Sequence, residues 1–433
     1  MMITHKKIPE APALPFVGSA LQIFRSDLHT FVVKQWRQHG SVFRMQIMGA
    51  RYLVLAGPEA NAFFTKHELD YFTSHEVFAA FAKEVEAKHF IAAMDGPDHT
   101  RARAIIKKPY SPRELEKNWA QLWEFTDNFF ETHCEQRQPL FPLMQKLVAN
   151  QIGMLVLGTI ADDYLEDLSV FLTTLIAITL GIYPPFMLKR PRYIKAKERV
   201  IQYARDIIAD HKVTTRENPD IVDYLLDAQK THPEFMSDDE LIISTIGPYL
   251  AGIDTAAGTL GFLLYTLTKY ELQEKVKEEL RNAGELTAQT VRKLPVLHGW
   301  IAETMRLLMS TPVIPRSTRQ AFEFEGVHIP AGEKVLIATG VAHFSEQFYK
   351  NPDIFDIERC MPPRNEHRQA GAFVPYGIGS HTCAGAGFAN VQIAATMACL
   401  LNKWRVESNE KLRLTNGGAI FPSKHLVGVL RRD

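Results

Sequence analysis

Cys383 lies in the run Phe373-Val-Pro-Tyr-Gly-Ile-Gly-Ser-His-Thr-Cys-Ala-Gly385. Gly377, Gly379 and His381 precede the sulfur, Gly385 follows it, and an apolar helical stretch comes next. A cysteine at a helix start meets free backbone N–H groups and the positive end of the helix dipole. Both lower a thiol's pKa and favour the thiolate. A thiolate in such a socket is either a nucleophile or a metal ligand.

Three other constellations can carry chemistry. Asp254-Thr255 places an acid and an alcohol inside an apolar helical run, where an ionisable group is costly unless paired or used. Glu303 and Arg306 lie at i,i+3, and His99 and Arg103 at i,i+4, so each pair shares a helix face.

The options for Cys383 then separate by what each needs. A nucleophile wants a base, and His381 is two residues away. A zinc site wants three or four ligands, and Cys134, Cys360, Cys383 and Cys399 contain no CxxC pair. The first, second and fourth of these read as buried hydrophobes. A haem iron needs one axial protein ligand, and glycines let backbone approach a flat macrocycle closely.

The positioning elements are mostly helical. Short strand patterns occur at 41–47, 52–55 and 313–342, and helical patterns dominate from about Ser111 to Arg306. Ser237 and Glu240 are spaced as a capping box for a long buried helix over Leu241 to Thr268, which Gly247-Pro248 should distort. The fold class is mostly α with a small β region, as one large domain over 1–433. The 433 residues carry 49 Lys plus Arg against 49 Asp plus Glu, a balance that argues against nucleic-acid binding. Neither a signal peptide nor a membrane anchor is read at the N-terminus, and cysteine usage fits the cytoplasm.

Tyr376-Gly-Ile-Gly-Ser-His-Thr-Cys-Ala-Gly385 resembles the cysteine-ligand signature of the cytochrome P-450 superfamily of haem-thiolate monooxygenases, with Tyr376 where that family usually has Phe. Glu303-Thr-Met-Arg306 resembles its ExxR motif, Ala251-Gly-Ile-Asp-Thr255 its acid–alcohol helix, and the order of segments is the family's. The resemblance spans roughly residues 10 to 430. It implies the cytochrome P-450 fold and haem b (iron protoporphyrin IX) ligated by Cys383. Ala251, Tyr376, Gly377, His381 and Gly385 would lie at the cofactor. His99, Arg103, Arg316 and His381 would hold its propionates. Arg359 would join Glu303 and Arg306 in a structural triad, and Asp254 and Thr255 would manage protons for dioxygen.

The implied activity is hydroxylation of a lipophilic small molecule such as a terpenoid, sterol or fatty acid. Electrons would come from a separate ferredoxin and its reductase, since no fused reductase domain is read. Arg101, Arg103, Lys107, Lys108, Arg364, Arg368 and Lys403 are candidate donor contacts. Pocket candidates by position are Phe72, Phe78, Phe81, Phe90, Leu250, Ala251, Val313, Ile314, Ile420 and Phe421. The charge-free run Leu168–Leu188, followed by Lys189, Arg190, Arg192, Lys195 and Lys197, reads as a lid with peripheral lipid contact. Two rivals remain, a peroxide-driven peroxygenase and a non-enzymatic haem protein. Neither has a use for the Asp254-Thr255 pair.

Overall fold

The computed structural model describes residues 6–415 and 419–433. Residues 1–5 and 416–418, included in the expected single domain, lie outside the described residues. The central element is the helix Asp238–Lys269. Ser237 and Glu240 form the expected capping box: the Glu240 amide donates to Ser237 Oγ and the Ser237 amide to Glu240 Oε2 at 3.1 Å. Asp238, Asp239 and Glu240 add negative charge at the positive end of the helix.

Leu260, Phe262, Leu263, Leu264 and Leu267 on this helix are sealed from solvent. Each such side chain contributes about 1.5–3 kcal/mol on burial. The helix packs against Leu140–Ile152, with Gly252 at the contact: a Cβ there would sit 2.7 Å from Ile152 Cδ1. The distortion expected at Gly247-Pro248 does not break the element, which runs continuously through both residues. Ile246 and Tyr249 beside them are fully buried, and that packing outweighs the lost proline N–H.

The strands are β1 Val42–Ile47, β2 Ala50–Ala56, β3 Phe72–Thr73, β4 Gln138–Pro139, β5 Ile314–Thr318, β6 Phe322–Phe324, β7 Val327–Ile329, β8 Lys334–Ala338, β9 Trp404–Glu407 and β10 Val427–Arg432. Five make one sheet in the order β1-β2-β8-β5-β3, in which β2 and β8 run parallel. Its two faces bury separate apolar clusters, around Phe31, Phe43 and Val54 on one side and Phe64, Phe72 and Ile337 on the other. The large remaining core belongs to the helices.

Among the described residues, two helical stretches, Leu140–Leu157 and Asp238–Lys269, are long and apolar enough to cross a membrane. Both are mostly buried inside the fold, which identifies them as core elements.

Candidate functional site

The cysteine loop is shaped by its own backbone. The Cys383 amide donates to Tyr376 O at 2.9 Å, Gly377 N to Val374 O at 3.1 Å and Thr382 N to Gly379 O at 3.2 Å. Gly379 has φ +78°, and a Cβ there would strike Glu68 Oε2 at 2.2 Å, so both conformation and space call for glycine. From outside, the Val374 amide donates to His343 Nε2 at 2.9 Å, which fixes that histidine as the Nδ1–H tautomer. Burial lowers the His343 pKa to about 3.

The following helix, Ala386–Lys403, starts three residues after Cys383. The thiol is free and exposed to solvent on one side while protein surrounds the others. This desolvation raises its pKa, against the opposing Gly385 N–H and Arg103 charge. The net shift is therefore opposite to the one expected from the helix start: the Gly385 amide does lower it, and burial outweighs that.

The four cationic candidates come together. His99 and His381 stack with ring centroids 3.9 Å apart. Arg103 Nη1 donates to Thr382 O at 2.5 Å, bracing the residue next to the cysteine. Arg316 is buried in β5, with Nη2 3.4 Å from Glu68 Oε1 and Nε left without a partner. Asp95 Oδ1 lies 3.4 Å from His381 Nε2. Asp95 accepts from Thr73 and Ser74 and is held well below the usual carboxylate range. Burial and the nearby His381, Arg103 and Arg316 lower the His99 pKa to about 4.

Glu303, Arg306 and Arg359 form a sealed triad. Arg306 donates twice to Glu303, at 2.7 and 2.8 Å, and Arg359 Nε donates to Glu303 Oε1 at 3.1 Å. The remaining guanidinium donors reach the carbonyls of His343, Lys350, Asn351, Pro352 and Ile354 and the carboxylate of Glu366. The triad therefore staples the segment before the cysteine loop to the ExxR helix Pro295–Leu307.

On the central helix, Ala251 is exposed between partly buried Leu250 and Gly252, and a Cβ on Gly247 would meet nothing within 4 Å. With Thr255 these positions form an i, i+4, i+8 stripe facing open space. Thr255 Oγ1 donates back to Ala251 O at 2.7 Å. Asp254 Oδ1 accepts from Gln145 Nε2 at 2.7 Å, and burial raises the Asp254 pKa.

The aromatic and aliphatic candidates divide. Phe72 packs on Phe64 and Phe322 in the sheet core, and Phe81 stacks on Phe90 with centroids 4.5 Å apart. Phe72 and Phe81 are 1% and 2% exposed, and Val313 and Ile420 are also buried, so these four are core residues and line no open space. Their placement as pocket residues is corrected: position along the chain does not say which way a side chain turns. Phe78, Phe90, Leu250, Ile314 and Phe421 keep partial exposure.

Sequence reasoning missed Glu68, Asp95, Gln145, His343 and Asn390, the last of which accepts from the Tyr376 hydroxyl at 2.6 Å. Asp95 stands just before Gly96-Pro97 at a helix start, a visible local signal. Glu68 and Gln145 act across long sequence separations and leave none.

These residues fit a haem. The thiol is open on one side, the Cβ position of Gly385 is free of neighbours, and positive groups crowd around a buried, unpaired Arg316 Nε that an anionic oxygen would satisfy.

The chain resembles abscisic acid 8'-hydroxylase 4 of Arabidopsis thaliana, 22% identical over 423 residues that cover 93% of this chain and 88% of the relative. It is 29% identical to cyclooctat-9-en-7-ol 5-monooxygenase of Streptomyces melanosporofaciens over 222 residues, 50% of this chain and 48% of that one. Among solved structures it superposes on a retinoic acid-bound cyanobacterial CYP120A1 with TM-score 0.86 and 20% identity, covering 99% of this chain and 100% of the other. The family model described as Cytochrome P450 matches residues 8–425, and with this fold the chain belongs to that family of haem monooxygenases.

Proposed function

We propose that this monooxygenase hydroxylates a lipophilic substrate, with terpenoids the first class to test, at a haem b ligated by Cys383. The observation that carries the reading is the open Cys383 thiol, flanked by Arg103, His99, His381 and Arg316. The relatives named above act on abscisic acid and cyclooctat-9-en-7-ol, and the structural neighbour holds retinoic acid. Thiolate-ligated haem supplies dioxygen activation and oxygen insertion once reduced.

The chain's own residues do the rest. Cys383 would hold the haem iron through its sulfur, and the Gly385 N–H would steady the thiolate charge. Arg316, Arg103, His99 and His381 would bind and orient the propionates. Thr255 holds a water on the open stripe of the central helix, and Asp254 exchanges a proton with that water. Phe78, Phe90, Leu250, Ile314 and Phe421 exclude bulk water and orient the substrate by shape.

Electrons arrive from a ferredoxin-type protein at exposed Lys107 and Arg368. Arg364 and Lys403 are engaged by Asp356, Glu366 and Asp127, so they contribute less. The lid contacts lipid through exposed Ile182, Tyr183, Phe186 and Ile194. Lys197 is bound to Glu84 and Arg192 to Glu166, which leaves Lys189, Arg190 and Lys195 as the basic part. Unchanged liposome partitioning in a K189S/R190S/K195S variant would remove the lipid contact. The four free cysteines suit the reducing cytoplasm.

The test of the central reading is the reduced carbon-monoxide difference spectrum. Wild-type protein is expected to give the red-shifted Soret band of thiolate ligation, and Cys383→Ser to lose it. A wild-type spectrum without that band defeats the assignment.

A further inference from the structure

An acid that relays protons must be stable in both of its protonation states. Asp254 sits mid-helix, half-buried, one residue before Thr255. Its hydrogen-bond partner comes from the adjacent helix: Gln145 Nε2 donates to Asp254 Oδ1 at 2.7 Å. A Lys or Arg in that place would hold the group as carboxylate. A carboxamide carries no charge and favours the carboxylate far less strongly. Its N–H₂ donates to a carboxylate, and its C=O accepts from a carboxylic acid after a turn about the last torsion.

The surroundings reinforce this neutrality. Lys146, next to Gln145 on the helix Leu140–Ile152, is directed to Asp162 at 3.7 Å. The helices Leu165–Thr179, Pro191–Val213, Ile221–Thr231, Pro295–Leu307 and Ala386–Lys403 and the strand β9 also pack on the central helix. Among the described residues, none of their Lys, Arg, His, Asp or Glu side chains pairs with Asp254 or shifts its titration. On the ExxR helix, Glu303 and Arg306 are consumed by each other. Burial opposes the charged form of Asp254, and the Gln145 bond favours it.

We propose that Gln145 is a positioning residue that holds Asp254 by one oxygen in either protonation state, so that the acid both gives and takes a proton. In the giving step the Asp254 O–H bond breaks and the proton passes to a water on the Thr255 side. In the return step the carboxylate takes a proton from solvent, and no electron moves. The inference rests on the reading of Asp254 as a proton carrier.

The test uses the haem-loaded protein and two readouts. Infrared difference spectroscopy follows the Asp254 carboxylic-acid C=O band against pH, with Asp254→Asn identifying the band by its loss. Gln145→Met and Gln145→Leu, which remove the donor without adding charge, are expected to move the band's midpoint up. Gln145→Lys is expected to move it down, with the acid band gone at neutral pH. The carbon-monoxide spectrum checks that each variant retains its haem site. A midpoint that is the same in wild type, Gln145→Met and Gln145→Lys overturns the proposal. The second readout is dioxygen uptake and hydrogen peroxide release, driven by a surrogate ferredoxin and reductase, against pH. If Asp254→Asn leaves that profile unchanged, the carrier reading fails, whereas the infrared midpoints decide the Gln145 coupling separately.

Discussion

His381 lies flat on His99, with ring centroids 3.9 Å apart and planes 17° from parallel, while its Nε2 reaches to 3.4 Å from Asp95 Oδ1. The carboxylate thus steadies the outer ring, and the inner ring, nearly sealed, carries the cost of the neighbouring cations. Burial first, and these cations second, lower the His99 pKa from 6.5 to about 4. A histidine depressed in the folded state binds more protons when unfolded. Its contribution to stability is therefore present above 6.5 and lost as pH falls towards 4. In haem-free protein, His99→Phe is expected to flatten the loss of stability across that window. Urea unfolding at several pH values measures it, and an unchanged slope would show that His99 is not titrating there.

Arg316 tests the same cluster from the ligand side. Its Nε is buried without a partner, and Nη2 meets Glu68 only at 3.4 Å. A propionate oxygen would complete it with a charge-assisted bond of about 1.5–3 kcal/mol. Arg316→Gln is expected to weaken haem affinity by roughly 10- to 100-fold, since 1.4 kcal/mol is about a factor of ten. Haem transfer to an acceptor apoprotein gives the rate of loss. Retention equal to wild type would place the propionates elsewhere.

The triad predicts a structural effect. Glu303 faces Arg306 and Arg359 with all three side chains sealed from solvent. Glu303→Ala leaves two guanidinium groups in the core facing only carbonyls and Glu366. Breaking a buried pair in this way costs about 3–5 kcal/mol. The variant is expected to unfold at lower urea and to accumulate little haem. Arg359→Lys keeps the charge but loses the fork that reaches Lys350, Asn351, Ile354 and Glu366 together, so it should show a smaller loss of the same kind.

Glu303, Arg306 and Arg359 were legible because two share a helical repeat and the third follows from family order. The Ser237–Glu240 capping box was legible because its chemistry is local. Gln145 pairs with Asp254 across 109 residues and Glu68 with Arg316 across 248, and no pattern within either segment points to the other. The direction of the Cys383 shift was also hidden. It depends on how much protein surrounds the sulfur, whereas the sequence displays only the helix start. Phe72 and Phe81 misled for a similar reason, since an aromatic beside a site and an aromatic in a core have the same sequence signature.

Tyr376 stands where the family resemblance expects Phe, and its hydroxyl is accounted for. It donates to Asn390 Oδ1 at 2.6 Å, on the helix that follows the cysteine. The phenol is thereby tethered to that helix, while the Tyr376 carbonyl accepts from the Cys383 amide at 2.9 Å. Tyr376→Phe is expected to cost about 0.5–1.5 kcal/mol, the net value of an ordinary hydrogen bond. The position of the reduced carbon-monoxide band should not change. A displaced band would mean that the hydroxyl acts on the sulfur itself.

Thr255 and Asp254 separate in their expected effects. Thr255 Oγ1 donates to Ala251 O at 2.7 Å, which leaves its oxygen lone pairs free to hold a water. Thr255→Ala is expected to keep haem and fold while diverting electrons from product to hydrogen peroxide. Thr255→Ser, which keeps the hydroxyl, should restore most of the coupling. Asp254 carries a stability signature as well. Its pKa is raised by burial, so the unfolded chain releases its proton at a lower pH than the folded one. The stability contributed by the protonated acid is fully present below the ordinary carboxylate range and is lost as pH rises through the folded value. Asp254→Asn, neutral at every pH, should therefore gain stability relative to wild type at neutral pH and lose that gain in acid. Equal differences at both ends would mean that Asp254 is as easily ionised inside the fold as outside it.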